Sequence, residues 1–442
     1  MILIDTALKR RAAEGKPIRV GMIGAGFMGR GIALQIALST PGMEVCAIAA
    51  RKGAQARAAF AQYLDPETIA HADSQHAIEA ALHAGRPVIT EDPEALARSA
   101  GLDAILEVTG SMDYALSGAL AALESGKHLL LMNAELDGTV GPLLQVRAAK
   151  AGVIYSNVDG DQPGVQMNLL RFMRGIGVRP VFSGNIKALQ DPYRTPITQR
   201  AFAEKWGQSP HKVTAFADGT KIAFEQAIVA NGAGMRVAKR GMLGIDPTNM
   251  DPTQPLRPLE DYIPLLAPHL DPDGPGIVDF IVGARPGPGV FALGVHPDPR
   301  QQHYLNLYKL GAGPYYLFYT PYHLCHFEVP NTIARAVLFG DAALAPLGPP
   351  CVGVVATAKR DLASGDCIDD MGGFDSFGEA ENIPEIISQR LLPMGLAQGC
   401  TLKRKVARGA TITLDDVAMP PARLIDAFYD EQARHFGLRG PR

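Results

Sequence analysis

Cysteine is scarce, with five in 442 residues. Cys46, Cys325, Cys351, Cys367 and Cys400 show no zinc-site spacing. They read as reduced thiols of a cytoplasmic protein. Neither sign of charge dominates. Lys and Arg number 42 against 45 Asp and Glu, a net charge of -3. A basic footprint for nucleic acid is therefore absent, and no nucleic-acid partner is expected. The short cluster Lys403-Arg404-Lys405 reads as a solvated face. No apolar run reaches the ~18 residues of a membrane span, and Met1 to Gly15 lacks the apolar core of a signal peptide. Aromatic residues make up only 7%. What remains is ordinary globular composition, 47% hydrophobic and 20% charged, in a chain too long for one core. Two or three domains are expected.

The apolar run Ile18 to Ile23 reads as a buried strand. Gly24-Ala25-Gly26-Phe27-Met28-Gly29 follows at once, and Ile32, Ala33, Ile36 and Ala37 then recur at helical spacing. Strand, glycine turn and helix in this order form a dinucleotide-binding unit. Gly24 permits the turn, Gly26 lets backbone approach a pyrophosphate, and Gly29 lets helix and strand pack closely. The second strand, Glu44 to Ala50, ends in Arg51-Lys52 where NAD enzymes usually carry a carboxylate. Two cations suit a 2'-phosphate, so NADP(H) is the expected cofactor.

Residues Gly53 to Gly85 read as helical and Ala-rich. Strands are expected at Ala104 to Val108, His128 to Met132 and Val153 to Ser156, with a helix over Tyr114 to Ser125. The alternation predicts a doubly wound parallel sheet of Rossmann type over residues 1–160. Thr109, Gly110, Asn133, Glu135 and Asp161 lie at or just past its strand ends, where ligands bind.

Residues 161–345 read as an α+β substrate and oligomerisation domain. Leu243 to Asp279, rich in Pro and Asp, predicts a long irregular excursion. Phe216 to Val229 reads as a helix or strand carrying Lys221 and Glu225. Six of the 12 tyrosines fall between Tyr304 and Tyr322, beside Lys309, His323, His326 and Glu328. Such a segment can present hydroxyls and cations to a hydroxylated, anionic substrate, or form a half-buried strand pair with packed aromatics. His323 and His326 suit a metal only on a helix, so no metal site is assigned and a divalent ion is left open. Residues 346–442, with short valine-rich strands and polar turns, read as a small β-rich domain.

The phrases VATAKRDLASGDCI and KRKVARGATITLDDV resemble the SAF module. The first 150 or so residues resemble homoserine dehydrogenase-like oxidoreductases, although Glu135 follows Asn133-Ala134 where homoserine dehydrogenases carry a lysine. GAGFMG, MNAE, the run KLGAGPYYLFYTPYHL and the EVP after it make nearly the whole chain similar to the second type of deoxyxylulose phosphate reductoisomerase, the DXR-like enzymes. That resemblance implies an NADPH-dependent reductoisomerase of isoprenoid biosynthesis, in which a sugar phosphate rearranges to an aldehyde that hydride reduces. An NAD(P)-dependent dehydrogenase of a polyol, sugar acid or nucleotide sugar, and a cofactor-sensing regulator, stand beside it. Hydride chemistry requires a proton donor and a group to stabilise the alkoxide. Lys187, Lys221, Lys309, Tyr322, His323 and Asp161 are the candidates. The substrate pocket is expected between the strand ends of the first domain and Tyr304 to His323, in a homo-oligomer.

Overall fold

The computed structural model describes residues 4–247 and 256–438. The chain divides into two compact units.

The first comprises residues 1–161, 324–345 and 423–432. After α1 (Ile4–Ala13), it alternates β1 (Ile18–Ile23), α2 (Phe27–Ser39), β2 (Met43–Ala49), α3 (Gly53–Phe60), β3 (Ala70–His71), α4 (Gln75–His83), β4 (Val88–Thr90) and α5 (Pro93–Arg98). Then come β5 (Ala104–Glu107), α6 (Met112–Glu124), β6 (His128–Leu131), α7 (Ala134–Ala151) and β7 (Tyr155–Asn157). The seven strands lie in the order β3-β4-β2-β1-β5-β6-β7. Every pairing is parallel, so the sheet is the doubly wound one expected. Its central strands are buried on both faces, which is why they read as apolar runs without alternation.

The expected helical stretch Gly53 to Gly85 is corrected. Pro66 stops the chain after α3, with Asp65 capping a single turn through the Glu67 N–H. β3 then intervenes before Ser74 caps α4. A two-residue strand is too short to carry a period. The helix Cys325–Phe339 returns to this unit from far along the chain. Its Val329, Ile333 and Ala336 share a core with Ile32 and Ile36 of α2 and with Ile4 and Leu8 of α1.

The second unit comprises residues 162–323, 346–422 and 433–442. It opens with α8 (Gln162–Gly175), β8 (Arg179–Lys187), α9 (Pro196–Trp206), α10 (Pro210–Ala217) and α11 (Thr220–Ala233). There follow β9 (Ile277–Val282), β10 (Gly289–Val295), α12 (Pro299–Leu307) and β11 (Tyr316–Thr320). These strands form a mixed sheet in the order β9-β8-β10-β11. β8 pairs parallel with β9 and antiparallel with β10. The pair β12 (Val352–Ala358) and β13 (Ser376–Asn382) gives the C-terminal stretch its β-rich character. Phe182 and Phe291 centre the main core here, with ring centroids 5.0 Å apart.

Two further expectations change. Phe216 to Val229 is neither one helix nor a strand, because Gly219, at φ +96°, separates α10 from α11. The excursion Leu243 to Asp279 contains short helical turns and the start of β9, and its residues 248–255 lie outside the described ones.

Candidate functional site

In the first unit the glycine turn is built as a cradle. Gly24 sits at φ +112°, a left-handed backbone that side chains disfavour. A Cβ on Gly29 would meet the Gly24 carbonyl oxygen at 2.5 Å, so helix and turn pack too closely for any side chain. A Cβ on Gly26 would meet no atom beyond its chain neighbours within 4 Å among the described residues. Gly26 is also the N-cap of α2 and offers no side-chain cap. The first-turn N–H groups of α2 therefore face open space at the positive end of a helix, as a pyrophosphate requires. Ala25 is buried, Met28 is half-buried and Phe27 is exposed beside them.

Arg51 and Lys52 are exposed just past β2, with Lys52 as the N-cap of α3. A carboxylate unforeseen from sequence stands near them. Glu91, just past β4, accepts from the Gly53 N–H at 2.9 Å. Thr109 and Gly110 follow β5, and the Thr109 hydroxyl accepts from the Ser111 N–H at 3.2 Å. Asn133 caps α7 through the Leu136 N–H at 3.1 Å and donates to the Ser111 carbonyl at 3.3 Å. Glu135, in the first turn of α7, is half-buried.

The last residue of β5, Glu107, was missed by sequence reading. It is fully buried. One carboxyl oxygen accepts from the Thr109 N–H at 2.7 Å, and Oε2 has no hydrogen-bond partner among the described residues. Burial pushes its pKa up to about 7, with Glu135 adding to the rise and hydrogen bonds from Thr109 and Asn133 opposing it. Asp161 is buried past β7. Nearby Asp159 accepts from the Thr332 hydroxyl at 3.1 Å and from Arg335 at 3.4 Å.

In the second unit β8 carries the polar centre. Ser183, Asn185 and Lys187 alternate along the strand and so share one face. Asn185 Oδ1 accepts from Gln166 at 2.7 Å and from Gln226 at 3.1 Å. Its Nδ2 donates to Glu225 at 3.2 Å and to the Gln162 side-chain oxygen. Ser183 donates to Gln166 at 2.7 Å. Gln162 Nε2 lies 3.1 Å from His323 Nε2, so His323 joins the same network. On α11, Lys221 and Glu225 are one turn apart and pair at 3.8 Å. Lys187 donates to the Phe216 carbonyl at 2.9 Å. Enclosure lowers the Lys187 pKa and the Lys221 ammonium adds to this, while Glu225 and Asp218 pull it upward. A lysine tuned downward gives up a proton more readily than a solvated one, and a charged neighbour can hold an anion.

The network thus joins His323 and, through Glu225, Lys221 to Gln162 and Asn185, and Lys187 stands beside it within the field of Glu225 and Lys221. Lys309 does not share it. It stands exposed on the turn after α12, at φ +63°. Tyr322 is also exposed. The tyrosine segment does not form one wall, because it is divided among α12, β11 and the loops beside them, and only its β11 part pairs with a neighbouring strand, β10. Tyr304, Tyr308 and Tyr319 are exposed, while Tyr316 is fully buried with its hydroxyl 3.2 Å from the Asn306 side chain. His326 packs on α2 at Gly31. Among the described residues no three His, Cys, Asp or Glu side chains converge to hold a metal ion.

Two signals in the sequence could have found this network. One is the Lys221–Glu225 spacing of four. The other is the period-two polar pattern Ser183, Asn185, Lys187 inside an otherwise apolar strand.

Residues 160–329 match the catalytic domain of oxidoreductase DRL. The 1-deoxy-D-xylulose 5-phosphate reductoisomerase of Anaeromyxobacter dehalogenans is 25% identical over 314 residues, covering 69% of this chain and 75% of that one. Among solved structures, a DOX-P reductoisomerase in complex with NADPH, fosmidomycin and magnesium is 14% identical. The alignment covers 48% of this chain and 57% of that one, with a TM-score of 0.33. This chain therefore spans less than two thirds of that structure's length. A probable dehydrogenase from Thermotoga maritima is 14% identical over 75% of this chain and 91% of that one, with a TM-score of 0.40.

Proposed function

We propose that this chain, an NAD(P)-dependent oxidoreductase, is an NADP(H)-dependent reductoisomerase acting on a phosphorylated sugar of the 1-deoxy-D-xylulose 5-phosphate type. The observation that carries this reading is the catalytic-domain match over residues 160–329. That stretch contains β8 and α11 and therefore Lys187, Lys221, Glu225 and Asn185. The similarity to the Anaeromyxobacter enzyme named for that sugar phosphate supports the substrate class.

In this reading the turn Gly24 to Gly29 and the start of α2 hold the pyrophosphate. Thr109, Gly110, Asn133 and Glu135 line the nicotinamide end. Arg51 and Lys52 hold the 2'-phosphate, which favours NADP(H) over NAD(H). The cofactor supplies the hydride. Lys187 donates the proton that the developing alkoxide takes up. Lys221 supplies positive charge toward the substrate phosphate, and Glu225 holds Lys221 in place through their ion pair. His323 and Gln162 offer a hydrogen bond to a substrate hydroxyl.

The test is direct. Purified protein is given NADPH and 1-deoxy-D-xylulose 5-phosphate, NADPH consumption is followed, and the product is read by NMR. A branched carbon skeleton with NADPH consumed is expected. Consumption of NADPH without skeletal rearrangement, or turnover of polyols or sugar acids alone, would replace this reading with that of a simple dehydrogenase.

A further inference from the structure

The C-terminal stretch after residue 345 contributes none of the candidate residues above, yet it sends one charged side chain deep into the second unit. Lys359, the residue after β12, has a side chain only 2% exposed. Its ammonium lies 2.7 Å from Asp218 Oδ2, and the Asp218 side chain is fully buried. The same nitrogen donates to the Gly373 carbonyl at 2.8 Å and to the Arg194 carbonyl at 3.0 Å. Two of its N–H groups donate to backbone carbonyls and its charge is paired with a buried carboxylate, so the burial of this charge is compensated by an ion pair and two hydrogen bonds.

The three partners belong to three separate pieces of chain. Gly373 lies in the C-terminal β-rich stretch. Arg194 lies in the loop that leads from Lys187 at the end of β8 to α9. Asp218 lies between α10 and α11, and its other oxygen accepts from the Thr220 N–H at 2.8 Å. Thr220 opens α11, so this bond fixes the turn from which Lys221 and then Glu225 project. Two residues before Asp218 stands Phe216, whose carbonyl accepts from Lys187. Further bonds tie the two pieces together. The Asp191 N–H donates to the Ala217 carbonyl at 2.8 Å, and the Asp191 carboxylate accepts from Arg194 Nε at 3.0 Å.

We infer that Lys359 is a positioning residue for the proposed substrate site, holding the loop 188–195 and the start of α11 so that Lys187, Lys221 and Glu225 keep their working arrangement. This rests on the reading of those three residues as the substrate end. It gives the C-terminal stretch a role in turnover without contact with the reacting atoms. An ordinary core ion pair would serve stability alone. The distinction here is that the pair's remaining bonds go to backbone on both sides of the candidate site.

A single Lys359→Met change strands a buried carboxylate and is expected to destabilise the fold strongly. The double change Lys359→Met/Asp218→Leu removes both charges and should restore folding, because buried ion pairs often exchange for apolar pairs at little cost. It does not restore the tether to Arg194. The double variant is therefore expected to recover the part of the stability that the stranded carboxylate costs Lys359→Met, and to fold with NADPH affinity kept. Its kcat on 1-deoxy-D-xylulose 5-phosphate should fall about 10- to 100-fold, the scale of a small misplacement of reacting groups. Amides of residues 188–195 should exchange with solvent faster, by about tenfold or more. Recovery of kcat together with stability would overturn the inference, as would unchanged exchange over 188–195. The exchange measurement needs no substrate and reports on the tether whichever sugar the enzyme takes. A parallel Lys187→Met variant separates the two failures. If it turns over normally, the site reading itself is wrong. If it is impaired while the double variant is not, only the positioning role is wrong.

Discussion

Replacing Gly26 by valine should abolish cofactor binding while leaving the fold intact. Gly26 has φ -73° and ψ -162°, an extended backbone that a β-branched residue adopts without strain. Its Cβ would have no neighbour outside residues 25–27 within 4 Å among the described residues. The cost to folding is therefore that of an unremarkable surface change, within about 0.5 kcal/mol. In the proposed reading, the space the side chain fills is where the pyrophosphate approaches the α2 N–H groups. Hydrogen bonds from N–H to a charged acceptor contribute ~1.5–3 kcal/mol each. Losing two of them costs about 3–6 kcal/mol, a weakening of the NADPH Kd by about 100- to 20,000-fold. Calorimetric unfolding with titration of NADPH measures both quantities on one sample. Gly29→Ala supplies the opposite pattern. Its Cβ would press on the Gly24 carbonyl oxygen at 2.5 Å, so it should lower stability by about 1–3 kcal/mol. Unchanged NADPH affinity in a folded Gly26→Val protein would refute the assignment of this turn to the pyrophosphate.

Arg51→Ala with Lys52→Ala should weaken NADPH about 10- to 100-fold and NADH hardly at all, given charge-assisted contacts to a 2'-phosphate; equal losses would show that these cations do not read it. Lys187→Met and His323→Ala should each lower turnover while titrated NADPH affinity survives, and parallel losses of both would place these residues elsewhere in the mechanism. Glu107 makes stability depend on pH in a stated direction. Its folded pKa of about 7 lies above the ordinary 4.5, so the folded state holds the proton more tightly. The stability this gives is fully present below about pH 4.5 and is lost as pH rises through about 7. Glu107→Gln should remove the loss, leaving the variant more stable than the parent at pH 8 by up to about 3 kcal/mol and equal to it near pH 4, as read by denaturant unfolding.

The first unit was legible because its signals are local. A glycine turn between an apolar run and a helical period lies within some 20 residues, and each glycine's role follows from its own backbone and nearest atoms. What escaped there was short or silent. β3 spans two residues, and Glu107 looks like any strand residue until its burial is known. Glu91 comes near Gly53 only because β4 lies beside β2 in the sheet, a neighbour relation that no spacing reveals.

The second unit was misread for the opposite reason. The densest cluster of tyrosine, lysine and histidine in the sequence dispersed onto separate elements, because a segment of that length crosses a helix end, a strand and a loop. The polar network that did form draws Gln162, Asn185, Lys221 and His323 from four places in the chain, and each looks unremarkable alone. Residue density along a chain therefore predicts convergence only when the segment is a single element whose period is known. A polar residue recurring every second position inside an apolar strand is a stronger sign, because burying such a group unpaired costs ~1–3 kcal/mol. A strand that buries both Ser183 and Asn185 on one face therefore requires partners from other elements. Gln166, Gln226 and Glu225 supply them, and the same face ends at Lys187. Searching strands for polar residues that the fold must satisfy from elsewhere would have led to this site before the tyrosines did.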